Sequence, residues 1–182
     1  MAVFILVACG NGGDNGTDVG DAAQPSPSPG TTTARVYEEG TVAGILSRDG
    51  RFTVLMRVLE TAEVRDGPPP GTVTGSAAEV MSQPGWDHTI FAPTDAAFDA
   101  VDEITLESLF QSAEATGIVR THVVPMVIRS DERETGQLLA IGGPIEVVVD
   151  GSGIMYGGAT VVEPDIEASN GVIHVVDAVI LP

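Results

Sequence analysis

Three histidines, His88, His122 and His174, carry the only imidazoles of this 182-residue chain, and Cys9 carries its only thiol. An imidazole titrates near neutral pH, so beside a carboxylate or a hydroxyl it could act as a general base, and two of them one helical turn apart could hold a zinc ion. The three are widely spaced, and none has a second histidine at the i, i+4 interval of a metal-binding helix. No Gly-Xaa-Ser-Xaa-Gly elbow presents a nucleophilic serine, and a chain without lysine has none to close a glycine-rich phosphate loop. His122 and His174 could still meet Asp95 or Asn170 in the fold. Such residues form either an acid–base pair or a buried hydrogen-bond network, and the network is the expectation. No catalytic, metal or cofactor-binding residue is assigned, and the chain is expected not to be an enzyme.

The elements that must position these residues can be read from pattern. Ile166 to Pro182 opens as a turn and becomes a run rich in β-branched residues, as suits a strand buried on both faces, and Asn170-Gly171 is a strong pair for positions with φ > 0. Thr89 to Ala92 reads as a second strand. Pro93 ends its regular run, and Thr94 or Asp95 can accept hydrogen bonds from the first free amides of a helix carrying Ala97, Phe98 and Val101. Thr41 can cap a short helix through Ser47. Phe52, Leu55, Met56, Leu59 and Ala62 then make one apolar helical stripe. Pro68-Pro69-Pro70 and several glycines break the pattern up to Asp87, with a short helix expected around Ala77 to Met81 and Trp86 covering the edge of the core. Thr105 starts another helix with Leu106, Leu109 and Phe110. After Pro125 the chain is β-rich: Leu138 to Ile141, Ile145 to Val149, Ile154 to Tyr156 and Ala159 to Val162 are short runs separated by glycine-rich turns.

The closing stretch and Thr89-Ile90-Phe91-Ala92-Pro93-Thr94-Asp95-Ala96-Ala97-Phe98 resemble the two signature motifs of the fasciclin (FAS1) domain family, in the right order. Ile118 to Pro125 resembles the family's central Tyr-His motif, with His122 retained and Thr121 where tyrosine is usual. In animal relatives that tyrosine region is tied to integrin-dependent adhesion, an implication that Thr121 weakens here. The resemblance implies an α+β fold, a single fasciclin-like (FAS1) domain over residues 41–182 with an insertion at about 66–87, built as a twisted β-wedge or sandwich flanked by short helices. It also implies that the motif residues Thr94, Asp95, His122, Asn170, Gly171 and His174 are structural, and that the domain serves adhesion or protein–protein contact.

Residues 1–8 are apolar but far too short to cross a bilayer as a helix. Leu6-Val7-Ala8-Cys9-Gly10 resembles the lipobox of bacterial lipoproteins, which implies cleavage before Cys9 and a diacylglycerol on its sulfur. Residues 1–8 are then a signal-peptide remnant, short of the charged and apolar parts of a full signal. A lone cysteine also excludes an internal disulfide. Residues 9–40 form a linker rich in Gly, Asp, Ser, Pro and Thr that lacks the apolar surface to offset its ordering entropy, and Pro25 to Pro29 stiffens it as polyproline II. The 26 acidic residues against 8 arginines give a net charge of −18, which repels nucleic acid and anionic headgroups.

These readings converge on a lipid-anchored module on the extracytoplasmic side of a cell envelope. Its expected partner is a surface protein, a glycan or a second copy of itself. The alternatives are an envelope protein that binds a small molecule or lipid and, more remotely, a hydrolase.

Overall fold

The computed structural model describes residues 37–64, 75–132, 134–151 and 153–181. Cys9, the 1–8 segment, nearly all of the 9–40 linker and residues 65–74, which take in the first part of the expected 66–87 insertion, lie outside the described residues.

Two strands sit at the centre because their sequences tolerate burial on both faces. β9 (Gly171–Val176) and β3 (His88–Pro93) are buried at all six positions each, and they pair in parallel from His88↔Gly171 to Pro93↔Val176. Side chains alternate across the pair, so it divides two cores. Ile90, Ala92, Ile173 and Val175 face the helices, whereas Phe91 and Val176 face an inner core with Val124, Val147 and Tyr156. The Phe91 and Tyr156 rings stack there at 3.5 Å and 4°.

Seven strands form one sheet in the order β4-β3-β9-β8-β7-β6-β5, in which every neighbouring pair except β3–β9 is antiparallel. The remaining strands are β4 (Val123–Val124), β5 (Gly136–Ala140), β6 (Gly143–Asp150), β7 (Gly153–Tyr156) and β8 (Ala159–Ala168). Right-handed twist curls the sheet until its edges approach. The Ile141 N–H then donates to the Val123 carbonyl at 3.0 Å, and the Gly142 N–H to that of Arg120 at 2.7 Å. This nearly closed wedge with helices on one side is the α+β architecture that the sequence implies.

On the helical side, α1 (Val42–Arg48) is capped by Thr41, whose hydroxyl accepts from the Gly44 N–H. α2 (Thr53–Thr61) buries Leu55, Met56 and Leu59, with Phe52 and Ala62 of the expected stripe at its two caps. Each such side chain contributes roughly 1.5–3 kcal/mol of burial. β1 (Glu63–Val64) and β2 (Gly75–Ser76) pair on either side of residues 65–74. The expected short helix follows as α3 (Ala77–Met81), opened by a capping box between Ser76 and Glu79. The remaining helices are α4 (Asp95–Asp99), α5 (Glu103–Ser108) and α6 (Ser112–His122).

Several local readings change. α5 begins before Thr105 because Asp102 caps it, accepting from the Thr105 N–H at 2.9 Å. The Ile118 to Pro125 motif, to which the sequence assigns no element, spans the end of α6 and the two residues of β4. Ile166–Ala168 belong to β8, which runs on through Pro164-Asp165 by shifting register twice against β9. The turn shrinks to Ser169-Asn170, and the last strand ends at Val176, with Ile180 still buried and Leu181 exposed. Among the described residues no helix is long and apolar enough to cross a membrane.

Candidate functional site

Asn170 is fully buried and ties three elements together. Its Oδ1 accepts from the Val42 N–H at 2.9 Å, at the start of α1, while its Nδ2 donates to the carbonyls of Met81 (2.7 Å) and Gln83 (3.1 Å), at the end of α3. Its backbone does not take up positive φ, contrary to the turn reading; Gly171 does, at 156°. A Cβ on Gly171 would lie 1.9 Å from the His88 carbonyl oxygen, so the parallel β3–β9 contact admits only glycine there.

Thr94 and Asp95 divide their work differently from the sequence expectation. The Thr94 side chain caps nothing, although its carbonyl accepts from Ala97 and Phe98. The Asp95 carboxylate turns away from α4 and caps α2, accepting from the Thr53 N–H (3.2 Å), the Thr53 hydroxyl (2.6 Å) and the Val54 N–H (2.9 Å). The Asp95 N–H in turn donates to the Arg51 carbonyl at 2.8 Å, which clips the two helix starts together.

His122, buried at the end of α6, donates from Nδ1 to the Ile118 carbonyl at 2.8 Å and accepts the Ile180 N–H on Nε2 at 3.2 Å. That polarity requires the neutral ring, and burial, which outweighs the Ile118 hydrogen bond, depresses its pKa to about 4. Thr121 donates to the carbonyls of Ile118 and Ile180, and the Tyr156 hydroxyl reaches the Thr121 carbonyl at 3.1 Å. A phenol from a distant strand therefore stands beside the position where the motif usually has its own tyrosine. His174, 3% exposed, donates from Nε2 to the Ile128 carbonyl at 2.9 Å and accepts the Asp165 N–H at 3.2 Å. His88 stacks on Trp86 and donates to its carbonyl at 2.7 Å, and burial lowers its pKa too.

The structure thus keeps His122 and His174 apart from Asp95 and Asn170; each imidazole is held by backbone groups. A base must have a lone pair free to take a proton, and on His122 and His174 the acceptor nitrogen already holds a backbone N–H. Among the described residues no group of three or more His, Cys, Asp or Glu could hold a metal ion.

One concavity was not anticipated. Asp165 adopts φ 59°, and its carboxylate accepts from the Ser130 N–H at 2.9 Å and from the Ser130 hydroxyl. Burial opposes its ionisation, but those two hydrogen bonds outweigh it and hold its pKa below the ordinary carboxylate value. The bulge swings β8 away from β7, opening a groove of about 320 Å³ lined by Ser130, Asp131, Asp150, Ile154, Val161 and Pro164, among others. A proline inside a strand pattern marks such a bulge, so Pro164 was the signal for it.

A family model described as the fasciclin domain matches residues 72–182. Protein sll1483 of Synechocystis sp. is 32% identical over 147 residues, covering 78% of this chain and 73% of that one. The cell surface glycolipoprotein MPB83 of Mycobacterium bovis is 27% identical over 106 residues, which span 54% of this chain and 45% of that protein. Among solved structures, a FAS1 domain pair from the insect cell adhesion molecule fasciclin I superposes with a TM-score of 0.63 at 18% identity, over 79% of this chain and 51% of the pair. The matched motifs, the wedge and these relatives place the chain in one group: it belongs to the fasciclin domain family.

Proposed function

We propose that this protein is a non-enzymatic adhesion or protein–protein interaction module, held at the extracytoplasmic face of the cell envelope by a lipid on Cys9 and displayed on the linker that follows. The observation that carries the reading is how the motif residues are used. Asp95, His122, Asn170 and His174 each spend a polar group on a backbone N–H or carbonyl of a distant segment, which builds a rigid body whose outer surface is left to recognise a partner. Family membership supports the same reading, as does the likeness to a cell adhesion molecule and to a cell surface glycolipoprotein. A flexible tether raises the local concentration of such a module, so weak contacts add up. The small void below the groove, of about 10 Å³, has room for one water at most and does not favour a small-molecule ligand there.

The test is saturable binding of purified chain to intact source cells and to itself. Binding that unlabelled protein competes away is expected, and its absence in both formats overturns the adhesion reading. In the same cells Cys9→Ser is expected to move the protein from the membrane fraction to the soluble one; undiminished membrane retention overturns the anchor.

A further inference from the structure

The groove between β7 and β8 has three properties that no residue of the signature motifs supplies. First, it is a split in the sheet. β7 keeps its ladder to β6 from Val147↔Tyr156 to Asp150↔Gly153, but it is in register with β8 only at Met155↔Thr160 and Tyr156↔Ala159. Past Thr160, β8 follows β9 alone, and the Ser130 hydrogen bonds to Asp165 hold the separation open. Second, its floor is β-branched and apolar: Val149, Ile154 and Val161 pack on the inner core yet remain half-buried. Third, exposed Asp131 and Asp150 lie on its rim.

A strand edge offers main-chain hydrogen bonds to an extended segment, whose side chains then alternate between floor and rim. A rim of carboxylates selects cations. From these we infer that the β7–β8 groove docks an extended segment of a partner protein, which lays an aliphatic side chain on the Val149, Ile154 and Val161 floor and sets flanking Lys or Arg side chains against Asp131 and Asp150. The inference rests on the proposed interaction role and gives it a surface and a partner chemistry. A second copy of this chain fits the groove poorly, because a chain with no lysine and a net charge of −18 meets an acidic rim with repulsion.

The experiment titrates the isotope-labelled full chain with the synthetic peptide Lys-Val-Lys-Ile-Lys-Val and follows backbone amide shifts. Shifts are expected at Asp131, Ile154 and Val161. The double variant Asp131→Arg/Asp150→Arg is expected to weaken binding about tenfold or more, and the charge-matched Asp99→Arg/Glu107→Arg on the helical side by less than about threefold, since only the first pair touches the peptide. If the arginine variant does not fold, Asp131→Asn/Asp150→Asn carries the same comparison. A peptide with its valines and isoleucine replaced by serine is expected to bind more weakly than the parent. Shifts centred elsewhere, equal weakening by the two double variants, or no binding at millimolar peptide overturns the proposal. Cell binding that survives Asp131→Arg/Asp150→Arg unchanged overturns the groove and leaves the adhesion role standing. Peptide binding in the groove with no cell binding overturns the adhesion role alone.

Discussion

A buried imidazole that uses one nitrogen to donate and the other to accept is a pH-dependent part of the fold. For His122 the pKa falls from 6.5 in an unfolded chain to about 4 in the folded one. The unfolded state therefore binds the proton more readily. The stability tied to this residue is complete above about pH 6.5, drains as pH falls through that window and is gone below about pH 4. The difference amounts to about 3 kcal/mol. His88 is shifted the same way by burial and adds to the same loss. Melting measured between pH 7.5 and 4.5 is expected to fall steeply for the natural protein and less steeply for His122→Gln, at the cost of a lower melting temperature at pH 7.5. An unchanged slope would show that His122 is not buried neutral. At this scale the sequence was informative about which residues matter and less so about how. Asn170 stood out as a turn former, yet it acts through its side chain, whose partners at Val42, Met81 and Gln83 are far away along the chain.

Elements were legible where a local signal decides them. Ser76 and Glu79 make a capping box visible in the sequence, and the α3 that follows has the expected ends. The stripe from Phe52 to Ala62 is likewise local. What stayed hidden was any element whose end depends on a remote partner. α2 has no cap of its own, since Phe52 offers no side-chain oxygen, and Asp95 supplies one from 42 positions away. Asp95→Ala is therefore expected to destabilise the protein by about 1–2 kcal/mol, acting on α2, whereas Thr94→Ala, which removes no capping bond, is expected to cost less than about 0.5 kcal/mol. Chemical denaturation of the two variants measures this, and equal losses would overturn the assignment of the cap. β8 is the other case. Pro164 and Asp165 look like the end of a strand, and only the β9 ladder beyond them makes Ile166–Ala168 its continuation.

Over the whole molecule, charge is the dominant surface property. Described arginines are drawn into exposed ion pairs: Arg51 with Asp49 (2.7 Å) and Glu163 (2.9 Å), and Arg48 with Glu39 (2.5 Å). Hydrogen bonds from the Arg51 side chain and backbone N–H hold the Asp49 carboxyl below its ordinary pKa, but pairs this exposed are worth only about 0–1 kcal/mol each. Self-repulsion within a chain of net charge −18 outweighs them. Raising salt from about 0.01 M to 0.5 M is therefore expected to raise the melting temperature, by on the order of 5 °C, because screening relieves more repulsion than attraction. A melting temperature that falls with salt would mean the ion pairs dominate.

The sequence by itself determined the family, the α+β class, the helices with their own caps, and the two-faced burial of the closing strand, because motif order, apolar periodicity and capping residues act over a few positions. Tertiary structure alone decided which backbone groups His122, His174, Asn170 and Asp95 satisfy, how the sheet nearly closes through Ile141 and Val123, and where β7 and β8 part. Most of those outcomes depend on groups far apart along the chain: 35 positions for Ser130 and Asp165, and 128 for Val42 and Asn170. A hydrogen bond needs its partners within about 3 Å, a condition met only once the whole chain has packed.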